Sequence, residues 1–228
     1  MKSVRFLTSV WRDSIRPGRN IRLKRAQSRA ESKTEPFCYF WTVRTQQCGN
    51  GRKKDFWRDF IKRKTYSPEP SALQVLDYLR PLLCTHRVET ALELGPGWAS
   101  YTLTLAKLCR EVACVDLSQD VLDFVLQAGA EHGYTNISAY HAKWETFTPE
   151  KRYDLVFGYN CFYRQTDLMD CFRRMDHAAN KLCVVGMNTG LAPAWIHELD
   201  EAGGKIRWEW KDYIYFVGVL YQMGIDPN

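Results

Sequence analysis

The chain is predicted to fold as an α/β domain around a doubly wound, mostly parallel sheet, and three observations predict it. Apolar strand-like runs alternate with amphipathic helical runs between residues 90 and 187. The first of these runs, residues 90–94, leads directly into Gly95-Pro96-Gly97, a tight turn that opens a helix. The next apolar run, residues 111–115, ends in Asp116, which places a carboxylate at the same end of the sheet as the glycine turn.

Taken in order, the periodicity predicts a strand over 90–94, a helix over 101–109, a strand over 111–115, a helix over 119–132 and a strand over 137–141. A strand over 153–157, a helix over 167–178 and a strand over 182–187 follow. Upstream, Phe37, Phe40 and Trp41 suit a helix over 35–47 that Cys48-Gly49-Asn50-Gly51 would end. Phe56, Trp57, Phe60 and Ile61 form the stripe of a second helix, and Ser67-Pro68-Glu69-Pro70 separates it from a third over 72–83. Downstream, residues 193–202 read as a helix stopped by Gly203-Gly204, and Ile206, Trp208 and Trp210 alternate as in a strand. Residues 213–220 are then either a returning antiparallel strand or the approach to a last strand that is missing. The turn-like Gly224-Ile225-Asp226-Pro227-Asn228 favours the missing strand. The organisation expected is a basic N-terminal extension over 1–35, N-terminal helices forming a lid over 36–85, and the sheet domain over 86–228.

With 228 residues and 45% hydrophobic content the chain can bury one sizeable core, and no run of about 18 apolar residues is present to span a membrane. The eight cysteines show no C-x-x-C pair and no metal-ligand spacing, and Cys114 and Cys183 fall inside apolar strands. They read as buried thiols, which favours a reducing compartment, the cytoplasm, over a disulfide or zinc framework. No metal is expected.

Charge is unevenly placed. Residues 1–35 hold ten Lys/Arg against three Asp/Glu, and the remaining chain holds 22 against 23. Val4, Leu7, Trp11 and Ile15 recur at helical spacing among the arginines, so an amphipathic basic helix is expected there. Such an arm is a solvated extension, a transit peptide that would take the protein to the mitochondrial matrix, or a surface for nucleic acid or anionic lipid; the solvated extension is preferred.

The glycine turn and Asp116 together describe a nucleoside pocket, with the carboxylate placed to accept the hydroxyls of a ribose. A dinucleotide would want three glycines in G-x-G-x-x-G, but Ser100 stands at the third position and Trp98 crowds the route of a pyrophosphate. Glu93, two residues before the first glycine, would repel that pyrophosphate and would attract a cation.

Glu93-Leu94-Gly95-Pro96-Gly97 with Asp116 resembles the first two motifs of the class I S-adenosylmethionine-dependent methyltransferases, a Rossmann-like family. Residues 153–160, Tyr-Asp-Leu-Val-Phe-Gly-Tyr-Asn, and 181–187, Lys-Leu-Cys-Val-Val-Gly-Met, resemble the family's fourth and fifth strands, so that four motifs stand in the family's order from about Pro70 onward. The resemblance implies S-adenosylmethionine as cofactor, held by Glu93, Gly95, Pro96, Gly97, Asp116, Leu117 and Tyr159. It implies methyl transfer by in-line displacement, which needs positioning more than acid–base chemistry. After the third strand the family commonly has an acid for the adenine amino group; here Lys143 cannot accept that bond, and Trp144 is expected to stack beside the ring instead.

The segment after the fourth motif is the expected acceptor edge. Asn160 would orient the acceptor, Tyr163 would stack on it or take a proton, and Arg164 would bind an anionic group; Tyr66 and Trp195 are further substrate candidates. Methyltransferases acting on exocyclic amines of bases resemble one another in an Asn/Asp-Pro-Pro-Tyr signature at this point, and the Leu-Gly-Pro-Gly loop is similar to that of the rRNA adenine dimethyltransferases. Asn160-Cys161-Phe162-Tyr163 keeps the ends and lacks both prolines, which favours a small-molecule acceptor over a nucleic acid. Two other classes stay open: an NAD-dependent oxidoreductase, opposed by Trp98 and Ser100, and a non-catalytic Rossmann-like domain that binds a partner. Oligomeric state is not predicted.

Overall fold

The computed structural model describes residues 3–9, 61, 66–67, 70–162, 165–188 and 212–225. Six strands form one sheet: β1 (Ser3–Ser9), β2 (Thr90–Leu94), β3 (Glu111–Asp116), β4 (Ile137–His141), β5 (Tyr153–Tyr159) and β6 (Ala179–Asn188). Among the described residues five helices are delimited: α1 (Pro70–Thr85), α2 (Thr102–Leu108), α3 (Gln119–Glu131), α4 (Leu168–Ala178) and α5 (Asp212–Gln222). The order across the sheet is β1-β6-β5-β2-β3-β4, and every pair is parallel. The order reverses at β2, so the ends of β2 and β5 flank the crevice where ligands of doubly wound sheets collect.

The strands are apolar because helices cover both faces. Alternate residues of β2 point to opposite sides: Ala91 joins a core with Leu76 and Leu79 of α1, Leu105 of α2 and Val125 of α3. Leu92 and Leu94 join the other core with Phe172 and Met175 of α4 and Phe216 and Leu220 of α5. Helix α1 therefore shares the core of the sheet. The amino-terminal edge is tied by polar contacts: Asp154 accepts from the Glu89 amide at 3.0 Å and pairs with Lys181 at 3.0 Å, while Lys151 meets Glu111 at 2.6 Å. Helix α4 starts at Asp167, whose carboxylate accepts from the Asp170 amide at 2.9 Å, a side-chain cap that satisfies an otherwise orphaned donor.

Two expectations are corrected. Residues 3–9 form a strand paired with β6 from Ser3↔Leu182 to Ser9↔Asn188, where a basic helix was predicted. Pairing with the rim of a parallel sheet satisfies backbone groups that an isolated helical turn satisfies only locally. Residues 213–220 belong to helix α5, which removes the returning-strand alternative; among the described residues no antiparallel strand occurs, and β1 covers the rim of β6. The helices expected within 35–60, the helix over 193–202 and the strand over 205–210 lie outside the described residues, although Ile61 is helical and buried.

Candidate active site

The site is built where β2, β3 and β5 end. After Leu94 the chain turns through Gly95 at φ +60°, Gly97 at φ +55° and Ala99 at φ +62°. Left-handed backbone at the first two is a conformation that glycine adopts without penalty, whereas Ala99 carries strain of about 1 kcal/mol or more. The turn is held by Gly95 donating to the Val115 carbonyl at 2.9 Å and Ala99 donating to the Pro96 carbonyl at 3.0 Å. A Cβ built on Gly97 would meet nothing within 4 Å, so this turn opens onto free space, and the buried Ser100 hydroxyl has no hydrogen-bond partner in the chain.

Beside the turn, Asp116 closes β3. One of its carboxylate oxygens accepts from the Ser118 amide at 2.8 Å, which fixes the side chain at the strand end. Leu117 next to it is 45% exposed, an apolar residue on the open rim. His141, closing β4, places Nε2 3.0 Å from the Leu117 carbonyl and so links the neighbouring strand ends.

Glu93 lies beneath the turn, only 1% exposed. Its carboxylate accepts from the Thr102 hydroxyl at 2.7 Å and has the Cys114 thiol 4.0 Å away. Burial pushes the carboxyl up to about 7, against the smaller lowering effect of the Thr102 bond. Burial likewise pushes the Cys114 and Cys161 thiols well above their ordinary value, which leaves neither as a thiolate nucleophile near neutrality.

On the other side of the crevice β5 ends at Tyr159, whose ring lies 5.3 Å from that of Tyr101 at the start of α2; Tyr101 in turn meets Phe157 edge-on at 5.0 Å. Asn160 follows at φ +51° and donates its amide to the Gly186 carbonyl of β6 at 2.9 Å. Cys161 leans on the glycine turn so closely that a Cβ on Gly95 would stand 2.5 Å from its own Cβ.

The structure thus brings Glu93, Gly95, Pro96, Gly97, Asp116, Leu117, Tyr159 and Asn160 to one rim. It separates two residues from it. Trp144 is 5% exposed, donates its indole N–H to the Cys171 carbonyl of α4 at 3.2 Å, and stacks beside Phe147, so it packs the core and offers no face to an adenine. Tyr66 meets His132 edge-on at 5.0 Å. His132 ends α3, which runs back to the amino-terminal edge, so Tyr66 stands at the wrong edge of the sheet for substrate. Tyr163, Arg164 and Trp195 lie outside the described residues. Sequence reasoning missed Tyr101, Thr102 and Cys161. Tyr101 and Thr102 could have been found from their place in the first turn after the glycines, whereas Cys161 carried no signal because its role is contact across the crevice.

A family model described as a methyltransferase domain matches residues 91–181, which contain the whole rim. No curated protein sequence matches. A solved structure of an S-adenosylmethionine-dependent methyltransferase from Aquifex aeolicus is similar with a TM-score of 0.52 at 14% identity, covering 75% of this chain and 87% of that one. The N-methyltransferase NodS of Bradyrhizobium japonicum WM9, crystallised with S-adenosyl-L-homocysteine, gives 0.44 at 18% identity, covering 54% of this chain and 68% of that one. The YcgJ protein of Bacillus subtilis gives 0.40 at 16% identity, and the match spans 45% of each chain. At 14% identity the likeness to the Aquifex aeolicus structure speaks for the fold, and the family model speaks for residues 91–181. Residues 91–181 thus match a methyltransferase-domain family, and the chain shares a Rossmann-like fold with the Aquifex aeolicus methyltransferase structure.

Proposed function

We propose that the chain is an S-adenosylmethionine-dependent methyltransferase acting on a small-molecule acceptor. The observation that carries the reading is the left-handed glycine turn, open to free space at Gly97, beside the fixed carboxylate of Asp116. The residues present fit the cofactor: the Cβ-free turn admits its close approach, the unpartnered Ser100 hydroxyl awaits a polar group, and Asp116 suits a ribose diol. Gly95, Pro96, Gly97 and Leu117 would line it, Tyr159 would border it, and Glu93 would act from below as the anionic counterpart of its cationic end.

When bound, the cofactor would supply an electrophilic methyl on sulfur for the acceptor's lone pair, and the acceptor's proton would leave to solvent or a nearby base. The chain's contribution is position. Asn160, presented by a left-handed backbone at the end of β5, would orient the acceptor within about 3 Å of the methyl, and the rings of Tyr101 and Tyr159 would wall off water. The lack of prolines after Asn160 supports a small molecule over a nucleobase amine. Among the described residues no helix is long and apolar enough to cross a membrane, and the six described cysteines are thiols; a cytoplasmic setting is the reading these thiols support.

The test is calorimetric titration with S-adenosylmethionine, S-adenosylhomocysteine and NADH, repeated on Asp116→Ala. The expected result is micromolar binding of both sulfur nucleosides, none of NADH, and a loss of about tenfold or more in the variant, equivalent to roughly 1.4 kcal/mol. Binding of NADH alone, or equal affinity in the variant, overturns the reading.

A further inference from the structure

The turn after β5 is held by side-chain packing as well as by backbone hydrogen bonds. Phe162 closes it, is 2% exposed, and meets Phe172 of α4 edge-on at 5.5 Å and Phe216 of α5 edge-on at 5.2 Å. Phe172 and Phe216 are themselves 5.2 Å apart, so three rings close on one another with each edge directed at a neighbouring face. The far end of the Phe162 ring presses on Gly158, where a Cβ would lie only 2.6 Å from Cζ. Between Gly158 and Phe162 the chain has just three residues in which to reverse, and it does so with Asn160 left-handed and Cys161 against Gly95. Moving Phe162 would therefore move Cys161 off the glycine turn and strain the Asn160 bond to Gly186.

We propose that Phe216, on helix α5 and remote from the rim, is a positioning residue for the acceptor edge: its ring seats Phe162, and Phe162 sets the turn that presents Asn160 and braces Gly95. Helix α5 thereby takes part in the geometry of the site through Phe162. Phe216 and Leu220 both point into the same core, but the ring contact to Phe162 belongs to Phe216, which makes Leu220 the matched control.

The experiment measures amide hydrogen exchange at Asn160 relative to Val184, a buried amide of β6, in the full-length chain and in Phe216→Ala, Phe216→Leu and Leu220→Ala, together with S-adenosylhomocysteine affinity. The expected result is a rise of about tenfold in the Asn160-to-Val184 ratio for Phe216→Ala, a smaller rise for Phe216→Leu, and no more than about twofold for Leu220→Ala. Affinity is expected to fall about threefold to tenfold with Phe216→Ala and to recover in part with leucine. If Phe216→Ala does not fold, Phe216→Leu against Leu220→Ala decides. An unmoved ratio in the Phe216 variants, or an equal rise in Leu220→Ala, overturns the proposal. The exchange ratio is read without ligand, so a chain that binds no S-adenosylhomocysteine would sink the proposed function and leave this linkage to be scored by its own measurement.

Discussion

The two turns that face each other across the crevice are held in different ways. The turn after β2 is held by backbone: glycines at positive φ, hydrogen bonds from Gly95 to Val115 of β3 and from Ala99 to Pro96, and a buried carboxylate beneath. The turn after β5 also has a left-handed residue and a backbone bond to β6, but it adds a phenylalanine lodged between rings from two helices later in the chain. A turn made from backbone keeps its shape through changes in side chains, whereas one seated on aromatic packing can be reshaped by substitutions far from it.

The contrast can be broken most heavily at Phe162. Phe162→Ala removes a buried ring from the centre of the aromatic trio, and we expect a loss of about 4 kcal/mol in chemical denaturation. The damage should be felt at β5, β6 and the two C-terminal helices before the β3–β4 side, which residue-resolved hydrogen exchange would reveal; uniform loss across the sheet would count against separately held turns.

Gly95→Ala attacks the point where the turns touch. A positive φ and a Cβ 2.5 Å from that of Cys161 should together cost about 3 kcal/mol and abolish S-adenosylhomocysteine binding. Adding Cys161→Gly should return the part due to the clash, leaving the part due to φ. If the double variant is no more stable than Gly95→Ala, the two turns are not in contact in solution.

Glu93 sharpens the comparison through pH. Its carboxyl, near 4.5 when unfolded and about 7 when folded, contributes stability that is present below pH 4.5 and is lost as pH rises through 7. The loss amounts to at most roughly 3 kcal/mol. Glu93→Gln should flatten that slope while retaining an acceptor for Thr102, as denaturation midpoints from pH 5 to 8 would show; parallel slopes in the two proteins would refute the buried-acid account.

The smallest effect is expected at Tyr66. Tyr66→Phe keeps the ring against His132 and should change cofactor affinity by less than about 0.5 kcal/mol, because the residue stands at the other edge of the sheet. A marked loss in titration would return it to the site.

Much of this was legible from local pattern. Strand β2 spans the predicted 90–94, and β3 to β6 begin or end within a few residues of expectation, because apolar runs bounded by glycine or polar turns are self-announcing in a parallel sheet. The glycine turn and Asp116 were legible for the same reason. Trp144 and Tyr66 were not, since an aromatic near a strand end reads alike whether it faces a ligand or the core, and the Cys171 carbonyl or the His132 ring that decides the matter is distant in sequence. Helix α5, Asp-Tyr-Ile-Tyr-Phe-Val-Gly-Val-Leu-Tyr-Gln, is apolar at nearly every position, so periodicity cannot separate helix from strand. In residues 3–9 Val4 and Leu7 suit a helical stripe while Val4 and Phe6 suit alternation, and only the exposed rim of β6 breaks the tie.

That rim carries a consequence for how the molecule is made. Ser3 pairs with Leu182, so the earliest strand of the chain must wait for the latest strand of the sheet before it has anything to bond. Closing so long a loop is slow and contributes little until β6 is in place. During synthesis β1 thus waits unpaired while β2 to β5 are made, and refolding should end with a late phase in which β1 docks. The order of events runs opposite to the order of residues.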